Sequence, residues 1–142
     1  MADIIMSIHP KWAEKIYANE KWIEWRKSLP KNVDKSTKVF LYETSPVCKV
    51  TGYFKWTNEH VVFELNRLSK DEIRFLEERG QLETYVKQGC VPIEDLKKYQ
   101  GGSERIYGWI SRYWVKFDNP RTLSDFGLKR PPQSWQYLKE VK

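Results

Sequence analysis

Residues 105–117 hold Ile106, Tyr107, Trp109, Ile110, Tyr113, Trp114 and Phe117, a density of aromatic and β-branched side chains that suits a sheet far better than a helix. The run predicts one long strand, central in a sheet and ended by Asp118-Asn119-Pro120. The rest of the chain must supply its neighbours. Short strand-like runs do so at residues 3–8, 21–27 and 39–42, and twice within residues 49–63, on either side of Thr57-Asn58-Glu59. Each is bounded by turn formers: His9-Pro10, the loop of residues 29–37 with Pro30, Asn32 and Asp34, and Ser45-Pro46. In residues 21–27, Ile23 and Trp25 alternate with Glu24 and Arg26, the period of a strand with one polar face.

Helices fall between these runs. Pro10 suits a first helical turn, Trp12, Ala13, Ile16 and Tyr17 then share one face, and Asn19 tolerates the left-handed conformation that closes such a helix. Ser69 and Glu72 have the spacing of a capping box, which opens a helix that turns Ile73 and Leu76 inward and breaks at Gly80. Two more helical pieces are expected at residues 82–87 and 93–99, the second entered through Pro92, before Gly101-Gly102 ends the insert. A short turn at residues 123–126 leads to Pro131-Pro132. Strand, helix, strands, a helical insert and a long strand make an α+β fold in which a small, mixed, curled sheet closes naturally as a barrel. With 142 residues the chain can bury one core, so it is read as a single domain over 1–142, with an insert at about 69–100 and a C-terminal extension at about 119–142.

The charge narrows the partners. Twenty-five basic against nineteen acidic residues give a net charge of +6, which favours polyanions. The excess lies at the ends: 10 basic and 8 acidic residues in 1–65, 7 and 7 in 66–102, and 8 and 4 in 103–142. The two cysteines, Cys48 and Cys90, stand singly without histidines at ligand spacing, so neither a metal nor a cofactor is expected and a reduced, cytoplasmic setting fits. No apolar run is long enough for a membrane helix, and the first residues do not read as an export signal. Phosphate-binding glycine loops and serine or cysteine nucleophile motifs are absent from the sequence.

The stretch Asn19-Glu20-Lys21-Trp22-Ile23-Glu24-Trp25-Arg26 resembles the G-x-K-x-x-E-x-R motif of ASCH domains, a branch of the PUA-like superfamily. Residues 5–16, 39–47, 107–110 and 118–126 are similar to the flanking elements of that family, so the likeness spans nearly the whole chain. Asn19 stands where the family usually has glycine. The resemblance implies a small PUA-like mixed β-barrel with peripheral helices, and a module that binds RNA, a nucleotide or a nucleoside in a cleft beside the motif strand, with a regulatory role open to it. Some members resemble amidohydrolases of acetylated cytidine, which use the motif lysine with a threonine at the position matching Glu24. A carboxylate there cannot serve as that hydroxyl nucleophile.

The residues themselves allow such a cleft. Lys21 offers a point charge, Arg26 a planar fork for phosphate or base, and Glu24 an acceptor for either cation or for an exocyclic amine. The competing reading is a structural ion-pair network without a ligand. Trp22, opposite Ile23 and Trp25 on the strand, is the candidate stacking ring, whereas Trp12 and Trp109 read as core. Arg112, Lys116, Arg121, Lys129 and Arg130 could line a basic strip for a phosphate backbone, or merely solubilise the surface. His9 reads as structural. Binding of RNA or a nucleotide is therefore the leading expectation, through Lys21, Trp22, Glu24, Arg26, Arg112, Lys129 and Arg130. An enzyme on modified nucleosides or RNA, with Lys21 and Glu24 as the catalytic pair, is the first alternative, and a protein-interaction domain using the acidic insert is the second.

Overall fold

The fold follows from where the predicted strands find partners. A computed structural model describes residues 2–139. Among them, β1 (Ile4–Ile8), β3 (Lys38–Glu43), β4 (Lys49–Lys55), β7 (Trp114–Arg121) and β8 (Trp135–Tyr137) form one sheet in the order β7-β4-β3-β1-β8. A second sheet has the order β2-β6-β5, from β2 (Ile23–Arg26), β6 (Ile106–Ile110) and β5 (His60–Phe63). β1 runs parallel to β3, while β2 and β5 both run antiparallel to β6. The α+β class stands, but the strands make two sheets and the expected barrel does not close.

The aromatic run at 105–117 is not one strand. It breaks at residues 111–113, where the Ser111 N–H and Oγ–H donate to the carbonyls of Trp22 and Lys21 at 2.9 and 3.2 Å. β6 ahead of the break is central in the three-stranded sheet, and β7 after it is an edge of the other and runs on through Pro120 to Arg121. Proline is tolerated in a strand at such an edge.

Helix α1 (Pro10–Tyr17) starts on His9, whose Nδ1 accepts from the Lys11 N–H, and ends before Asn19, which takes the expected positive φ of 60°. It buries Ala13 and Ile16 with Ile4, Met6, Leu41, Phe54 and Trp109 in the core between the sheets. The insert comprises α2 (Lys70–Glu78), α3 (Glu83–Gly89) and α4 (Ile93–Gln100), and the Ser69/Glu72 capping box is formed as expected. These helices cover the opposite face of the three-stranded sheet, packing Ile73, Leu82 and Leu96 against Ile23, Trp25 and Ile106. The segment after β7 covers the outer face of the larger sheet with Leu123, Phe126, Leu128 and Leu138. Residues 140–142 of the expected C-terminal extension lie outside the described residues, and β8 was not foreseen. Among the described residues no helix is long and apolar enough to cross a membrane.

Candidate functional site

The motif strand places its polar residues between the two sheets. Register sets this: Glu24 lies beside Trp109 and Arg26 beside Tyr107 on the face turned to the inter-sheet core, while Ile23 and Trp25 face the insert. The expected solvated face is thus a buried one. Lys21 is 1% exposed and Glu24 is 5% exposed, so neither side chain lines an open cleft.

The three charged groups nevertheless converge. Lys21 Nζ donates to the Gly89 carbonyl at the end of α3 and stands 3.7 Å from Glu24 Oε1. Arg26 Nη2 reaches Glu24 Oε2 at 3.0 Å and donates to the Ser7 carbonyl at 2.7 Å, and Nη1 donates to Ser134 Oγ at 3.2 Å. The resulting relay ties the motif strand to β1, to the insert and to the C-terminal segment. Burial pushes the Lys21 ammonium below its ordinary pKa, and the Glu24 carboxylate pulls in the opposite direction. Arg26, with 11% of its side chain exposed, is the end of the relay that meets solvent.

Two aromatic rings that the sequence did not mark as candidate ligand contacts, Trp12 and Tyr99, carry lysines near their faces. Trp12, expected in the core, is half-buried, with Lys21 Nζ 4.8 Å and Lys11 Nζ 4.4 Å from its ring centroid. Tyr99, exposed on α4, has Lys27 Nζ at 5.1 Å from its centroid, and burial of its hydroxyl raises its pKa, with Arg26 opposing and Glu24 adding to the shift. A cation over a ring face is a weakly favourable pairing that also marks a surface suited to stacked, charged guests. The cue in the sequence was Lys11 beside Trp12, whereas Lys27 meets Tyr99 only through the fold.

The remaining candidates lie elsewhere. Trp22 turns away from the relay, its Nε1–H donating to the Asn19 carbonyl at 3.1 Å, and the Arg112 guanidinium lies 4.3 Å from its ring centroid. Trp25 is buried and stacked on Phe63, and its Nε1–H has no hydrogen-bond partner among the described residues. Lys129 and Arg130 are exposed in the C-terminal segment, and Arg121 lies 3.8 Å from Asp125. No group of three or more histidine, cysteine, aspartate or glutamate side chains is placed to hold a metal ion among the described residues.

The fold is that of an ASCH domain. The ASCH protein of Zymomonas mobilis has a TM-score of 0.69 over 98% of this chain and 89% of that one, at 20% identity. A mutant of the same protein gives 0.69 over 99% and 92%. At this identity the likeness is one of fold. In sequence, the chain is 27% identical over 137 residues to the large ribosomal subunit protein uL22 from two strains of Ureaplasma parvum serovar 3. That match covers 96% of this chain but 39% of the relative, so the chain spans about two fifths of the length of the curated relatives it matches. No family model matches the chain.

Proposed function

We propose that the chain is an ASCH-type module that binds RNA or a nucleotide, with a base recognised at the solvent end of the Lys21–Glu24–Arg26 relay. The observation that carries this reading is the convergence of Lys21, Glu24 and Arg26 on one relay, with the Trp12 ring beside Lys21 at one end and the partly exposed Arg26 at the other. Arg26 is the relay member able to meet a ligand directly, while Lys21 and Glu24 hold it and supply the field. Trp12 and Tyr99 offer stacking faces, and Lys11 and Lys27 meet phosphate. The net charge of +6 agrees with a polyanionic partner, and so does the occurrence of a similar stretch within a protein of the large ribosomal subunit.

Anisotropy of fluorescein-labelled single-stranded RNA tests it. Affinity is expected to fall steeply as salt rises from about 50 to 200 mM, and Trp12→Ala to weaken binding about tenfold, as loss of one stacked base predicts. Lys27→Ala should lower the salt slope by about 0.7. Binding indifferent to all of these changes removes the mouth as the site. A second reading, an enzyme with Lys21 and Glu24 as its catalytic pair, rests on their 3.7 Å approach and has the burial of both side chains against it. Chromatography of acetylated cytidine or RNA after incubation decides it: turnover no greater than that of a Lys21→Ala control rejects catalysis.

A further inference from the structure

A second aromatic and cationic surface begins at Trp22, on the side of the motif strand away from the relay. Its indole is held in place before any ligand arrives. The Trp22 N–H donates to the Gln88 carbonyl at 2.7 Å, its carbonyl accepts from the Ser111 N–H at 2.9 Å, and its ring N–H is bonded to Asn19. Arg112 covers one face of the ring. The ring also lines a cavity of about 660 Å³ with Asn19, Glu20, Glu83, Lys87 and Cys90, which Arg112 does not line.

Four of the arginines are held by carboxylates. Arg26, Arg67, Arg105 and Arg121 each lie against a carboxylate, at 3.0, 3.1, 2.8 and 3.8 Å. Arg112, like Arg74, Arg79 and Arg130, has no ion pair among the described residues; its guanidinium lies 4.3 Å from the Trp22 ring centroid and 5.9 Å from that of Tyr113. A planar cation stacked in this way keeps the donors on its edge available for a planar or tetrahedral anion. Beyond it, Tyr113 is 54% exposed and joins Trp114, Lys35 and Lys55 around a second cavity of about 750 Å³. The two hollows share a wall, since the Trp114 Nε1–H donates to Asn19 Oδ1 at 2.7 Å.

Ring, cation and ring, followed by a hollow lined by two lysines, is an order that suits alternating bases and phosphates. We infer that this face is a track for single-stranded RNA of two or more nucleotides. One base stacks on Trp22, the linking phosphate meets Arg112, and the next base lies on Tyr113 with its phosphate toward Lys55 and Lys35. The polymer's identity rests on the RNA reading of the relay mouth, but the residues are different ones.

Indole N–H resonances of the ¹⁵N-labelled protein, assigned with Trp→Phe variants, separate the two sites during titration with an RNA octanucleotide. The track requires the Trp22 and Trp114 signals to shift. Arg112→Gln should reduce the salt slope by about 0.7, and Trp22→Ala should weaken binding about tenfold. Should Trp22→Ala not fold, Trp22→Tyr retains a ring and is expected to bind nearly as well, while Arg112→Gln, at an exposed position, still reads the phosphate contact. Shifts at Trp12 alone overturn the track and leave the relay mouth standing; shifts at Trp22 and Trp114 alone support the track and remove the mouth. No shift at any indole rejects both. Shifts produced by concentrating the protein without RNA overturn the track and assign the face to a second copy of the chain.

Discussion

Lys21 carries the sharpest consequence at the scale of single residues. A buried ammonium facing a carboxylate is costly to leave half-dismantled, because the surviving charge loses its partner in a place water does not reach. Lys21→Met is expected to destabilise the fold by about 3 kcal/mol, at the lower end for such pairs because Arg26 still neutralises Glu24. Urea unfolding of Lys21→Met, Glu24→Gln and the double variant checks this; losses that simply add contradict a paired relay. The pH dependence has two opposed parts. Since the folded chain holds the Lys21 pKa below 10.5, between that lowered value and 10.5 the unfolded chain binds the extra proton, and this group makes stability rise with pH. Tyr17 acts the other way. Burial raises it from 10.0 to about 12 against the opposing bond to Thr51, so its contribution is full below pH 10 and is lost as pH climbs through about 12. Unfolding midpoints across that alkaline range should lose the first trend in Lys21→Met and the second in Tyr17→Phe. The convergence of Lys21, Glu24 and Arg26 was legible, because residues three and two apart at a strand entry can meet. Their burial was not, since it depends on Gly89, Ser7 and Ser134, far away in sequence. Trp12 packs against the core as expected, but its place on the apolar stripe of α1 says nothing of the two lysines near its ring.

Among the elements, β4 and β7 approach more closely than their side chains alone would allow. A methyl group at Gly52 would fall 2.3 Å from the Val115 carbonyl oxygen and 2.6 Å from the Tyr17 hydroxyl, so backbone would have to move. At Gly102 nothing lies within 4 Å. Gly52→Ala is therefore expected to cost about 1–3 kcal/mol more than Gly102→Ala, a difference readable from thermal or urea unfolding, and equal effects would mean that the strands can part freely. The helices of the insert were readable from their caps and periodicity to within two residues, as the Ser69/Glu72 box illustrates. The division of residues 105–117 was not. Composition sees only apolar continuity there, whereas the bend comes from Ser111 bonding to the Lys21 and Trp22 carbonyls and from the Lys55 N–H donating to the Tyr113 carbonyl, three contacts across the fold.

For the molecule as a whole, the two sheets share a core but differ in cover. β3 buries Val39, Phe40, Leu41 and Tyr42, whereas α2 buries only Ile73 and leaves Phe75 53% exposed. Hydrogen exchange should accordingly be slowest in β3 and fastest among the helices in α2, and strong protection in α2 would show that something else covers it. The α+β class was recoverable from the order of elements, but the strand count alone could not say whether the sheet closes, because that turns on which edges pair. The parallel pair β1 and β3 has a consequence for how the chain tolerates change. Its crossover carries α1 and also β2, a strand belonging to the other sheet, so extra residues spliced between β1 and β3 would pull on both layers at once. The insert leaves and rejoins the scaffold through β5 and β6, neighbours on one rim. Length variation among chains of this kind should therefore gather in the insert, while the crossover keeps its length.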